Sequence, residues 1–129
     1  EYDSHMTEDL VAATIKGYNI VEQNDEAAME DAVSQQPVSI AIDASNYSFQ
    51  FYNSGIYAPE ECCANNECED SDLDHAVLAV GYGTDDNGID YWIVKNSWGE
   101  NWGDEGYIHM IKGDGGRCGV ATDAIYPLA

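Results

Sequence analysis

Residues 76–95 read AVLAVGYGTDDNGIDYWIVK, and their interpretation decides the fold. Ala76 to Tyr82 is a continuous apolar run, too short for a buried helix and ending in Gly81-Tyr82-Gly83. Asn87-Gly88 follows, a dipeptide that tolerates the positive φ angles of a tight turn. Tyr91 to Lys95 then carries aromatic and β-branched residues at strand density. A run, a turn and a run make an antiparallel hairpin, and the rest of the chain extends it. Val38 to Ala44 reads as a largely buried strand, Tyr107 to Ile111 and Val120 to Tyr126 as two more, and Leu10 to Val21 as a β-branched and aromatic strand. The last two downstream strands are separated by the glycine-rich turn at 113–116. The main helix runs from an N-cap at Asn24 or Asp25 to Gln36. It shows one apolar face at Ala28, Met29, Ala32 and Val33, and Pro37 stops it. Ser48 to Ile56 is aromatic-rich without a decisive period, and Glu1 to Asp9 is an extended polar segment. One helix and five or six strands joined by short turns predict a mostly antiparallel, barrel-like sheet within one domain of 129 residues.

Composition narrows the function. The chain has 25 acidic and 4 basic residues, a formal charge of −21, so it lacks the cations that displace counterions from phosphate. Nucleic acid is excluded as an unaided partner, and so is an anionic membrane surface. No apolar run approaches a membrane span, and no charged-then-apolar signal segment opens these residues. At 44% hydrophobic with 11% aromatic residues, the chain can bury a core despite its charge. Cys62, Cys63 and Cys68 share one polar loop, and Cys118 lies far downstream. Without a Cys-x-x-Cys pair or clustered histidines, the pattern favours a loop-to-C-terminus disulfide in an oxidising compartment over a zinc site. Asn46-Tyr47-Ser48 is a glycosylation sequon. Neither Asp85-Asp86-Asn87-Gly88 nor the acidic stretch at 67–74 has the spacing of a calcium-binding loop, so no metal is expected.

His75 stands where a polar loop meets an apolar strand, a place where a rigid sheet often mounts reactive side chains. Asn96 directly follows a strand and is trailed by Ser97-Trp98-Gly99. An amide can accept a ring N–H and hold one histidine tautomer, while an indole excludes water from the pair. Trp98-Gly99 and Trp102-Gly103 are two aromatic–glycine pairs in one polar loop, poor material for a core.

These segments together resemble the papain family of cysteine peptidases, and most closely its cathepsin L-like branch. The resemblance is carried by Asp74-His75-Ala76-Val77, Gly81-Tyr82-Gly83, Tyr91 through Gly99, Trp102-Gly103 and Glu105-Gly106-Tyr107. Upstream it includes Gln36-Pro37-Val38-Ser39, Ala41 to Ala44 and Phe49 to Tyr57; downstream, Cys118-Gly119 and Tyr126-Pro127. It implies a papain-like α+β fold in which His75 is the catalytic histidine, Asn96 orients it and Trp98 shields it. Trp102 would flank the primed side of the cleft, where the leaving segment lies. The pocket for the side chain preceding the scissile residue would draw on Ala41, Leu73, Asp74 and Ala76, with Asp123 at its base. An acid there would accept a basic substrate side chain.

The resemblance also predicts a disulfide from Cys68 to Cys118, or alternatively from Cys62 to Cys118. The loop between Tyr57 and His75 is longer than the family expectation. The family nucleophile lies in a cysteine-rich segment before a helix, and none of the four cysteines has that context. Residues 1–129 therefore match the C-terminal, sheet-rich domain. Its partner would be an N-terminal helical domain, or another chain, carrying the nucleophilic cysteine. The implied activity is cysteine-type endoproteolysis of peptides or proteins without a cofactor, in a lysosomal, vacuolar or secreted setting, with this part inert alone. The alternatives are a non-catalytic assembly protein of papain-like ancestry, or a relative with serine for cysteine like the silica-depositing members.

Overall fold

The computed structural model describes residues 17–60, 62–63 and 68–128. The polar segment expected at Glu1 to Asp9, and the start of the strand expected from Leu10, lie outside the described residues. Among the described residues, seven strands form one sheet: β1 (Gly17–Ile20), β2 (Val38–Ile42), β3 (Ile56–Tyr57), β4 (His75–Thr84), β5 (Asp90–Lys95), β6 (Tyr107–Ile111) and β7 (Ala124–Leu128). Their spatial order is β1-β7-β2-β4-β5-β6-β3. Every pairing is antiparallel except β3 with β6, which is parallel. The sheet is open, with β1 and β3 as edges among the described residues, so the expected curvature does not reach closure.

The hairpin at 76–95 forms as its sequence demands. Asp85 turns the chain by accepting the amides of Asn87 at 2.9 Å and Ile89 at 2.8 Å, and Gly88 takes the positive φ of +83°. A bulge between Ala79 and Gly81 adjusts the β4–β5 register, which runs from Leu78 opposite Lys95 to Thr84 opposite Asp90.

The main helix, α1 (Glu26–Val33), is capped by Asp25, whose carboxylate accepts the Ala28 amide at 3.0 Å. It stops at Val33, short of Gln36, because the Gln35 amide bonds back only three residues, to Ala32, before Pro37. Eight residues are too few to hold a helix in water. Burial of Met29, Ala32 and Val33 supplies what propensity lacks, and Met29 alone contributes roughly 2 kcal/mol. Glu26 adds a tie by accepting the Trp92 indole N–H at 2.9 Å, which fastens α1 to the fully buried centre of β5. A single turn, α2 (Tyr47–Gln50), occupies the stretch whose sequence was undecided; Asn46 caps it through the Ser48 amide at 2.8 Å.

Two expectations need correction. The last strand begins at Ala124 rather than Val120. Val120 and Ala121 are buried, but in a turn that follows Cys118, and there Gly119 adopts φ +82°. A Cβ at Gly119 would overlap the Leu73 side chain, so this close approach depends on glycine. The second correction concerns the cysteines. Cys62, not Cys68, joins Cys118, while Cys68 joins Cys63. The backbone sends Cys62 inward, 3% exposed, and leaves its neighbour Cys63 half-buried with the amide donating to buried Asp43 at 2.7 Å.

Candidate active site

His75 is the first residue of β4 and Asn96 directly follows β5. Continuing the β4–β5 register one step beyond Leu78–Lys95 places Asn96 opposite Val77, with His75 its diagonal neighbour on the same face. That face is the buried one, carrying Val77, Ala79, Trp92 and Val94. The pair is thus the polar end of an otherwise apolar core surface. The ring Nε2 of His75 lies 2.7 Å from Asn96 Oδ1. The Ser97 amide donates to the same oxygen at 2.7 Å, which identifies it as the carbonyl oxygen. An oxygen that only accepts requires Nε2 to carry a proton, so in the neutral ring the lone pair sits on Nδ1. Asn96 is 5% exposed, and its Nδ2 is buried with no hydrogen-bond partner among the described residues.

Two aromatic rings pack on His75, and a third backs them. Trp98 lies over the imidazole with centroids 4.9 Å apart and planes tilted by 31°. Phe49, fully buried, presents an edge to His75 at 6.1 Å and to Trp98 at 5.4 Å. Trp102 packs on Phe49 at 5.0 Å and donates its indole N–H to the carbonyls of Phe49 and Gln50 at 3.2 and 3.1 Å. The loop carrying both tryptophans is therefore bound to α2, and α2 to the imidazole. Phe49 was not singled out by its sequence context; the one signal for its turn was the Asn46-x-Ser48 capping pattern.

The other predicted residues separate into groups. Ala41 stands opposite Ala76 between β2 and β4, and its amide donates to the Asp123 carbonyl at 3.2 Å. Asp123, which immediately precedes β7, consequently lines up with Ala41 on β2 and Ala76 on β4, on the sheet face away from the core. Asp123 is exposed. Leu73 rests against Gly119 beside Cys68. Asp74 turns its carboxylate to the Ala44 amide at 2.9 Å, so it braces the end of β2. Asn46 is exposed at the start of α2. An open depression of about 320 Å³, lined by Ser39, Ala76, Leu78, Lys95, Asn96 and Ser97, extends from the pair across the outer face.

Comparison with known proteins shows what the chain as a whole is similar to. The family model described as papain family cysteine protease matches residues 2–128. A cathepsin L-like peptidase of Aedes aegypti is 53% identical over 125 residues, covering 96% of this chain and 35% of the relative. Cathepsin L1 of Drosophila melanogaster is 49% identical, covering 96% and 32%. The chain thus spans about a third of the length of these curated relatives. Among solved structures, digestive procathepsin L 3 of the Tenebrio molitor larval midgut superposes with a TM-score of 0.80 at 45% identity, over 90% of this chain and 36% of that one. The bromelain protease of Ananas comosus, solved with the E64 inhibitor, gives 0.77 at 46% identity, over 88% and 50%.

Proposed function

The chain belongs to the papain family of cysteine proteases, and from that premise we propose that it forms the histidine-bearing wall of a cysteine endopeptidase site. The observation that carries this reading is the His75–Asn96 hydrogen bond beneath Trp98, which leaves Nδ1 as the basic atom. Burying an amide to hold a ring tautomer gains nothing for packing; it is useful where that ring must move protons.

All four cysteines are in disulfides, so the thiol is supplied by polypeptide outside residues 1–129, a complementary helical domain or chain. Nδ1 takes the thiol proton, and the thiolate attacks the scissile carbonyl. As the tetrahedral adduct collapses to a thioester, the imidazolium returns the proton to the departing amine. Water then enters, gives a proton to Nδ1 and releases the acid and the thiol. Asn96 keeps the ring oriented through both transfers, and Trp98 with Phe49 keeps water off the Nε2–Asn96 bond. On the outer face, the row ending in Asp123 would hold the substrate side chain before the scissile residue, with a preference for Arg or Lys. Two disulfides fit an oxidising setting, lysosomal, vacuolar or secreted.

The test uses the full polypeptide that includes the complementary domain. Its reactive thiol should be alkylated by iodoacetamide at acidic pH, where an ordinary thiol is inert. His75→Ala should abolish that acid-range labelling and cut peptide hydrolysis by about 10²–10⁴-fold, with Asn96→Ala intermediate. Labelling that is indifferent to His75 would assign the domain a non-catalytic, assembly role.

A further inference from the structure

Asn46-Tyr47-Ser48 is the one Asn-x-Ser/Thr sequon in the sequence, and the chemistry above makes no use of it. The fold presents it in a form that a sugar can occupy. Asn46 is exposed and stands just before α2, in extended backbone at φ −74° and ψ 135°. Its Oδ1 accepts the Ser48 amide at 2.8 Å, so the oxygen end of the carboxamide holds the turn. Glycosylation takes the nitrogen end: it replaces one of the two Nδ2 hydrogens and leaves Oδ1 as it was. Cap and modification are therefore compatible. The Ser48 hydroxyl, which completes the acceptor pattern, is bonded to the Tyr57 hydroxyl at 2.8 Å in the fold, which puts attachment before this turn closes.

The surroundings give the modification something to do. Tyr47 and Phe51 are 76% and 77% exposed. They lie four residues apart, and the Phe51 amide bonds back to the Tyr47 carbonyl at 3.1 Å, so the two rings leave the turn on the same side. Residues 44–59 contain no carboxylate, lysine, arginine or histidine, and this is the longest acid-free run in a chain of formal charge −21. Elsewhere on the molecule, like charge keeps two copies apart. Here there is none to do so, and a paired aromatic surface invites self-association. A sugar rooted at the residue before Tyr47 brings bulk and hydroxyls to the one stretch from which charge is missing.

We propose that Asn46 carries an N-linked glycan that covers the Tyr47–Phe51 face and keeps copies of the molecule apart. The donor is an oligosaccharide on a polyprenyl diphosphate. The bond from Nδ2 to the first sugar carbon forms, and the bond from that carbon to the diphosphate oxygen breaks. The diphosphate leaves with the electron pair, and the amide proton passes to a base of the transferase. The proposal rests on the oxidising, lysosomal, vacuolar or secreted setting proposed above, and is independent of the protease chemistry.

The test uses the full polypeptide, secreted from a eukaryotic host. Its Asn46 peptide should carry the mass of an oligosaccharide, and peptide-N-glycosidase F should remove that mass and leave an aspartate in place of Asn46. Ser48→Thr should remain modified. Asn46→Asp, which keeps the cap, and Ser48→Ala, which keeps the capped amide, should both lose the added mass. In about 1 M salt, where repulsion between charges is screened within about 3 Å, the modified protein should sediment as one species. Ser48→Ala should shift to faster-sedimenting species, and adding Tyr47→Ser and Phe51→Ser should reverse the shift. A bare Asn46 in protein whose disulfides have formed overturns the glycan and leaves the compartment reading intact, whereas a bare Asn46 beside free cysteines overturns both. A Ser48→Ala protein that stays a single species in high salt, or association that survives loss of both rings, overturns the covering role.

Discussion

Two flanks meet at His75, and they are stabilised by different means. The flank formed by Asp43, Cys62, Cys63 and residues 68–74 is crowded with carboxylates. It is held by two disulfides, by Asp43 accepting the amides of Ser45 and Cys63, and by Glu69 and Asp72 capping one 3₁₀ turn. The opposite flank, 44–59, has no carboxylate, lysine, arginine or histidine and is held by rings: Phe49 against Tyr57, Trp98 and Trp102, and Tyr52 against Tyr57 and Trp102. The contrast has a physical origin. Where like charges accumulate, apolar burial cannot supply the cohesion, and covalent links and hydrogen-bonded carboxylates take its place. Where charge is absent, packing suffices.

Each flank can be attacked by its own means. The largest effect should come from Phe49→Ala, which empties the centre of the ring cluster. A loss of about 3–5 kcal/mol is expected in urea unfolding, with the reducing agent making no difference to the size of that loss. On the other flank, replacing the Cys62–Cys118 pair by alanines should cost about 4 kcal/mol and replacing Cys63–Cys68 about 2 kcal/mol. Chain-entropy loss scales with the enclosed loop, and the sequence separations are 56 and 5 residues. Differential melting of the two double variants measures that gap; equal losses would show that chain entropy does not set their relative worth.

Asp123→Ala should lower kcat/KM for substrates with Arg before the scissile residue by about 10-fold and leave aromatic substrates unchanged. Added salt should mimic the substitution for the Arg substrates and leave the aromatic substrates unchanged. An Arg preference that is indifferent to both would remove Asp123 from substrate selection.

The smallest effect concerns Asp43. Burial pushes its carboxyl upward, yet hydrogen bonds from the Ser45 hydroxyl, the Ser45 amide and the Cys63 amide prevail and hold it below the usual range. A carboxyl depressed in the folded state contributes stability above its unfolded value, and that contribution is lost as pH falls through the folded one. Asp43→Asn should therefore cost about 1 kcal/mol at neutral pH. The gap from the unaltered protein should close progressively in acid, as followed by denaturant midpoints across a pH series. A gap constant with pH would mean that the charge is irrelevant.

Much of this was legible in the sequence, for reasons that differ by element. The hairpin at 76–95 was readable because run, turn and run each obey local rules. The nearness of His75 and Asn96 follows from the same hairpin: each sits at the open end of its strand, and the register does the rest. Strand β7 was misplaced because the apolar character of Val120 and Ala121 reports burial, and burial is also available in a turn behind a disulfide. The sequence around Phe49 was undecided because a one-turn helix is too short to show a period. The parallel pairing of β3 with β6 involves two residues and carries no local signal at all. The partner of Cys118 was left open between Cys68 and Cys62, and the structure takes Cys62, since that choice depends on which side of the backbone faces Cys118.

Cys62 and Cys63 are neighbours yet belong to different bridges, and this has a practical consequence for anyone making the protein. Four cysteines can be joined in three ways. One alternative closes the strained ring between the adjacent pair; the other merely exchanges their partners, a slip of a single position. Material oxidised carelessly will therefore be a mixture of isomers with identical mass, and peptide mapping across the Cys62–Cys63 bond is the quality control that tells them apart.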